Sequence, residues 1–99
     1  MQRFLNLLIQ SRTTTLNEKT LRALIDAGAV KRARIIGQGA RFHIDFDTLK
    51  GSITASTNRD EVKQWASLDA AARWLRGLGL GNAELLLAGW TPEQKQLGL

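Results

Sequence analysis

Residues 67–81, SLDAAARWLRGLGLG, constrain the fold of this chain more than any other stretch. Ser67 stands where a helix N-cap belongs, its hydroxyl able to accept from an amide of the first turn. Asp69 sets negative charge against the positive end of the helix dipole. Leu68, Ala71, Ala72, Leu75 and Leu78 then recur at the spacing of one helical face, with Trp74 on the flank and Asp69, Arg73 and Arg76 opposite. The run of alanines favours the helix and lets whatever lies beneath come close. Gly77, Gly79 and Gly81 offer left-handed conformations that stop it, so its end is expected near 77–79. Such a helix is stable only when its apolar face is covered, and the rest of the chain must supply the cover.

A sheet is the expected cover. Residues 30–36 and 41–47 flank Gly37-Gln38-Gly39 and read as a β-hairpin. In its second strand Phe42, Ile44 and Phe46 alternate with Arg41, His43, Asp45 and Asp47. With Gln38-Gly39 as the loop, Ile35 faces Phe42, Ala33 faces Ile44, Arg34 faces His43 and Arg32 faces Asp45. Residues 53–57 and 61–66 read as a second, more polar hairpin around Asn58-Arg59-Asp60. Residues 83–88 read as a short apolar strand returning to the sheet. Upstream, Thr15 followed by Glu18 is a capping-box pattern, and Leu21, Leu24 and Ile25 form a stripe that closes at Gly28. Residues 3–10 fit either a short helix or a strand. The expected fold is α+β: a small antiparallel β-sheet of two hairpins plus a C-terminal strand, packed against an amphipathic helix, with one or two N-terminal helices. The 99 residues suffice for a single domain, 1–99.

The chain has no cysteine, which removes disulfides, thiolate metal sites and thiol nucleophiles. The apolar run at residues 4–9 is too short for a membrane span and lacks the cleavage signature of a leader, so a cytoplasmic protein without membrane contact is expected. His43 is the only histidine, and Asp45 on the same strand face could orient it as a general base. A hydrolase would also need a nucleophile or a metal, and no cluster at ligand spacing supplies one. A surface imidazole among cross-strand charges is the favoured reading: no enzyme, no cofactor, no metal. Gly37-Gln38-Gly39 lacks the third glycine or the Lys-Ser/Thr of a phosphate loop and reads as a turn.

Charge bears on partners. The net +5 is held unevenly, with eight Lys or Arg against two acids in residues 1–41 and six against seven in the remainder. Lys31, Arg32, Arg34 and Arg41 would gather on the first hairpin as a candidate surface for DNA or for a protein partner. A short first helix, a turn at 11–14, a second helix and this basic hairpin resemble a winged helix-turn-helix. Asn17, Lys19, Thr20 and Arg22 would then be available to a groove, and the wing to phosphates. A solvated sheet face with Arg–Asp pairs is the favoured alternative. Trp74 is expected in the core, and Trp90, beside Thr91-Pro92, exposed as an interaction anchor.

Residues 64–76, QWASLDAAARWLR, with Leu78-Gly79-Leu80 and Trp90-Thr91-Pro92-Glu93-Gln94, resemble the small ParC-type partition-associated proteins of plasmids and integrative elements, which are distinct from the topoisomerase subunit of that name. Residues 27–34, AGAVKRAR, are in keeping with the likeness. The resemblance implies a non-catalytic accessory protein acting in plasmid partition or maintenance, and it carries over no catalytic residue. The expected partner is a partition or replication protein, with DNA and a second copy of the chain left open. The alternative is a mobile-element inhibitor that binds and blocks a host defence or restriction protein.

Overall fold

The computed structural model describes residues 14–92. The stretch 3–10, readable as helix or strand, and the polar tail after Pro92 lie outside the described residues. The elements are β1 (Thr14–Leu16), α1 (Glu18–Asp26), β2 (Val30–Gly39), β3 (Arg41–Thr48), β4 (Gly51–Ala55), α2 (Leu68–Gly77) and β5 (Glu84–Trp90).

Both helices form where local chemistry places them. Ser67 Oγ accepts from the amide of Ala70 at 3.1 Å and opens α2. At its end Gly79, at φ 101°, lets its own amide reach Arg76 O and that of Leu80 reach Leu75 O, the paired bonds of a Schellman cap. The end of α1 repeats this, with Gly28 N bonded to Ile25 O and Ala29 N to Leu24 O. The start of α1 differs from expectation. Asn17, not Thr15, is the N-cap, its Oδ1 accepting from Thr20 N, because Thr14–Leu16 is drawn into a strand.

The strands form one five-stranded sheet in the order β1-β4-β3-β2-β5. The expected purely antiparallel sheet is replaced by a mixed one: β2–β3 and β3–β4 are antiparallel, while β1–β4 and β2–β5 are parallel. The reason lies in the connections. β1-α1-β2 and β4-α2-β5 are both crossovers between parallel strands, and each steps across the sheet in the same direction. The strong preference for one crossover hand then puts both helices on one face. Polar contacts tie the helices together there: Glu18 accepts from Trp74 Nε1 and from Arg22, each at 3.1 Å, and Arg22 also donates to Gly77 O at 3.3 Å.

The register of the central hairpin is shifted from expectation while the faces are kept. Gln38 lies opposite Arg41, so Gly39-Ala40 forms the turn, with Gly39 at φ 63°. Ile35 therefore faces Ile44, Ala33 faces Phe46, Arg34 faces Asp45 and Arg32 faces Asp47. The second expected hairpin is formed only as a short, irregular one around the expected turn: Ser56 bridges Val62 antiparallel, Thr57 N bonds to Glu61 O and Lys63 N to Ala55 O. β4 follows β3 through a tight turn closed by Gly51 at φ 121°, giving a three-stranded meander. Asp60, at φ 63°, lies in the 58–60 turn, and the returning leg runs on until Trp65 exchanges both backbone hydrogen bonds with Phe42.

Leu21 from α1, Ala71, Leu75 and Leu78 from α2 or its cap, and Ala33, Ile35, Phe42, Ile44, Phe46 and Ala55 from the sheet form the buried core. Leu68 and Ala72, expected in the same core, are exposed instead, Leu68 by 38%. They overhang the outermost strand, β5, where the sheet runs out.

Candidate functional site

The basic residues singled out by the sequence lie on the hairpin, but they form no single cluster. Arg32, Arg34 and Arg41 share the face turned away from the helices with His43, Asp45, Asp47 and Glu84, as the strand alternation and register require. Arg34 is held by Asp47 and donates to Ser52 Oγ at 3.0 Å. Arg32 lies 3.6 Å from both Asp47 and Glu84. Asp47 thus sits between two arginines. Arg41 lies at the hairpin turn, six residues along the ladder from Arg32, roughly 20 Å at the rise of a strand. Lys31 sits in a register shift between Val30 and Arg32, beside the cleft that β2 forms with the loop 79–83. No ion pair among the described residues holds Lys31 or Arg41.

The winged helix-turn-helix likeness does not survive this topology. A wing protrudes, whereas β2 and β3 are the inner strands of the sheet, flanked by β5 and β4. Among the described residues the element before α1 is the strand β1, and the first helix of that likeness, residues 3–10, lies outside them.

His43 and Asp45 are each only 17% exposed, and His43 Nε2 stands 3.9 Å from Asp45 Oδ1. That separation is too long for a hydrogen bond. The same carboxylate oxygen accepts from Thr54 Oγ1 at 2.6 Å, so Asp45 is engaged with a neighbouring strand instead of orienting the imidazole. Among the described residues, no three of His, Cys, Asp and Glu gather as a metal site.

Trp90 is half-buried rather than a free anchor. Its ring leans on Phe42 with centroids 5.4 Å apart. The cause is a bulge: Ile36 lies opposite Leu86 but Gln38 lies opposite Gly89, so one extra β5 residue is inserted across from Gly37. Strict alternation from Leu86 would put Trp90 on the open face, and the inserted residue turns it to the helix face. Gly37 makes room. A Cβ there would lie 2.6 Å from Cβ of Trp90. Trp74 meets the expectation of a core role, packing on Phe46 at 6.3 Å and Trp65 at 4.9 Å.

What charge counting missed is apolar. β5 ends the sheet, paired on one side to β2, and it exposes Leu85 by 40% and Leu87 by 45%. Between β5 and α2 runs an open groove of 360 Å³ lined by Leu68, Ala72, Leu80, Ala83 and Leu85. The signal was present in the sequence as ELLLAGW, seven residues with a single charge at one end, but nothing in it showed which strand would lie outermost. No family model, no curated protein and no solved structure matches this chain.

Proposed function

We propose that this protein is a non-catalytic accessory protein of a plasmid or integrative element, acting in partition or maintenance by binding a protein partner. The likeness of residues 64–94 to ParC-type proteins supports the setting. The choice of protein over DNA is carried by one observation: on the open face three arginines are matched by Asp45, Asp47 and Glu84, and the two central arginines are already paired. Phosphate binding draws on unpaired cations gathered along one surface. Contiguous exposed apolar surface, here the α2–β5 groove and the β5 edge, is by contrast a mark of protein contacts.

The testing experiment is inheritance of the element that carries the gene. Disruption of the reading frame should raise the fraction of plasmid-free cells per generation, with restoration by the wild-type chain. A Leu68→Arg variant, which places charge in the groove but leaves the buried core untouched, should fail to restore. Unchanged inheritance after disruption would remove the maintenance reading.

A further inference from the structure

We propose that the cleft between the start of β2 and the loop 79–83 receives an extended, acidic segment of the partner protein, which runs along the free edge of β2 and sets a side-chain carboxylate on Lys31. This rests on the reading that the protein binds protein rather than DNA, and names the chemistry of the partner and the place where it docks.

The backbone gives the first support. β2 begins at Val30, but its ladder with β5 begins only at Arg34, opposite Glu84. Residues 30–33 therefore have no partner in β5, and the chain that becomes β5 passes them as loop. The space between is a cleft of 410 Å³, within the roughly 300 to 1,000 Å³ of ligand-binding clefts. It leaves an edge roughly 13 Å long at the rise of a strand, with main-chain groups open to an added strand. Ala33 on one wall and Gly79, Gly81 and Ala83 on the other are small, so an incoming backbone can come close.

Charge gives the second. Val30 lies opposite Thr48 and Arg32 opposite Asp47, successive residues of β3, so Lys31 is an inserted residue. Bulges of this kind re-aim a side chain. Lys31 is exposed, lines the cleft and is held by no ion pair among the described residues. The acid of the cleft, Glu84, is already answered by Arg32 at 3.6 Å, and Arg32 stands as far from Asp47. The pair cancels, and the cleft keeps the charge of Lys31. A carboxylate on the incoming segment complements it, whereas duplex DNA needs a row of cations that a single lysine does not provide.

The test selects random peptides, displayed on phage with their carboxyl ends joined to the coat protein, on the immobilised full chain at physiological salt. Selected sequences should be enriched in Asp and Glu. The strongest of them, synthesised with an amidated end and titrated into the isotope-labelled chain, should shift the backbone amide signals of residues 30–33 and 79–84. Lys31→Glu should weaken its binding by about ten-fold or more, the scale of one charge-assisted hydrogen bond, with the spectrum of the free protein otherwise unchanged. Should that variant fail to fold, Lys31→Ala carries the same test. Selection without acidic enrichment would overturn the proposal. So would shifts confined to another surface, such as the α2–β5 groove, or an affinity that neither Lys31 variant lowers. Each of those results leaves protein binding elsewhere on the chain intact, whereas tight duplex DNA binding at physiological salt would remove the protein reading itself, so the two failures are distinguishable.

Discussion

Gly37→Ala isolates the packing that turns Trp90 inward. Gly37 is buried in β2, and its φ lies outside the left-handed region, so the backbone itself would accept alanine. In open space the change would stabilise by about 0.5 kcal/mol through the unfolded chain. Space is what it lacks. The new methyl would sit 2.6 Å from Trp90 Cβ and 3.0 Å from its Cγ, and at 3.4 Å from Phe42 Cε1. The Trp90 atoms belong to the root of the side chain, so no rotamer change relieves the contact; β5 must shift away from β2. Overpacking of this kind costs about 1 to 3 kcal/mol, leaving a net loss of about 1 to 2 kcal/mol after the entropic gain. Thermal unfolding followed by circular dichroism should then show a Tm lower by roughly 5 to 15 °C for a domain of this size. Trp90→Gly, which removes the opposing Cβ, should abolish the penalty of the alanine even though it lowers stability by itself. A Gly37→Ala protein as stable as wild type would refute the inward placement of Trp90.

Leu75→Ala removes a side chain that is 3% exposed at the centre of the α2–sheet contact and should cost about 2 to 5 kcal/mol in urea unfolding. Glu18 has its carboxyl pKa lowered by the hydrogen bond from Trp74 and then by that from Arg22. Its contribution is therefore present above the ordinary carboxylate range and lost as pH falls through the lowered value. Stability of wild type should drop more than that of Glu18→Gln on acidification below about pH 4.5, by about 0.5 kcal/mol at this half-exposed, solvent-screened site. Asp47→Asn removes the carboxylate that Arg32 and Arg34 share, leaving Arg32 with Glu84 alone, and should both lower stability by about 1 kcal/mol and strengthen low-salt retention of duplex DNA. His43→Ala should leave plasmid inheritance within a few-fold of wild type; loss of inheritance by a folded variant would contradict the non-catalytic reading.

Legibility followed the range of the interactions. Ser67, Gly28 and Gly79 act within one turn of chain, and both helices ended where their glycines stood. The alternation of Phe42, Ile44 and Phe46 fixed which face of β3 is buried, because a period of two survives any register. Register itself did not survive inspection of the turn alone. Gly37 looked like part of the turn, while its small size serves a contact with Trp90 more than 50 residues away. Strand direction was beyond local reading too, since β5 and α2 are read alike whether the chain returns parallel or antiparallel. The same holds for the candidate site. Arg32, Arg34, Asp45 and Asp47 were rightly placed on one face, but their pairing through Asp47 depends on register. The exposed β5 edge depends on the order of strands across the whole sheet.

The preference for a protein partner over DNA rests on Arg32 and Arg34 of the open face being committed to Asp47 and Glu84 instead of phosphate. Fluorescence anisotropy of a labelled duplex, titrated with the full chain at low and at physiological salt beside an Arg32→Ala, Arg34→Ala double variant, tests it most directly. Weak binding at low salt that vanishes at physiological salt, for any duplex sequence, is the expected result. Tight binding at physiological salt that the double variant abolishes, with the log–log salt slope reduced by about one for each contact removed, would contradict it.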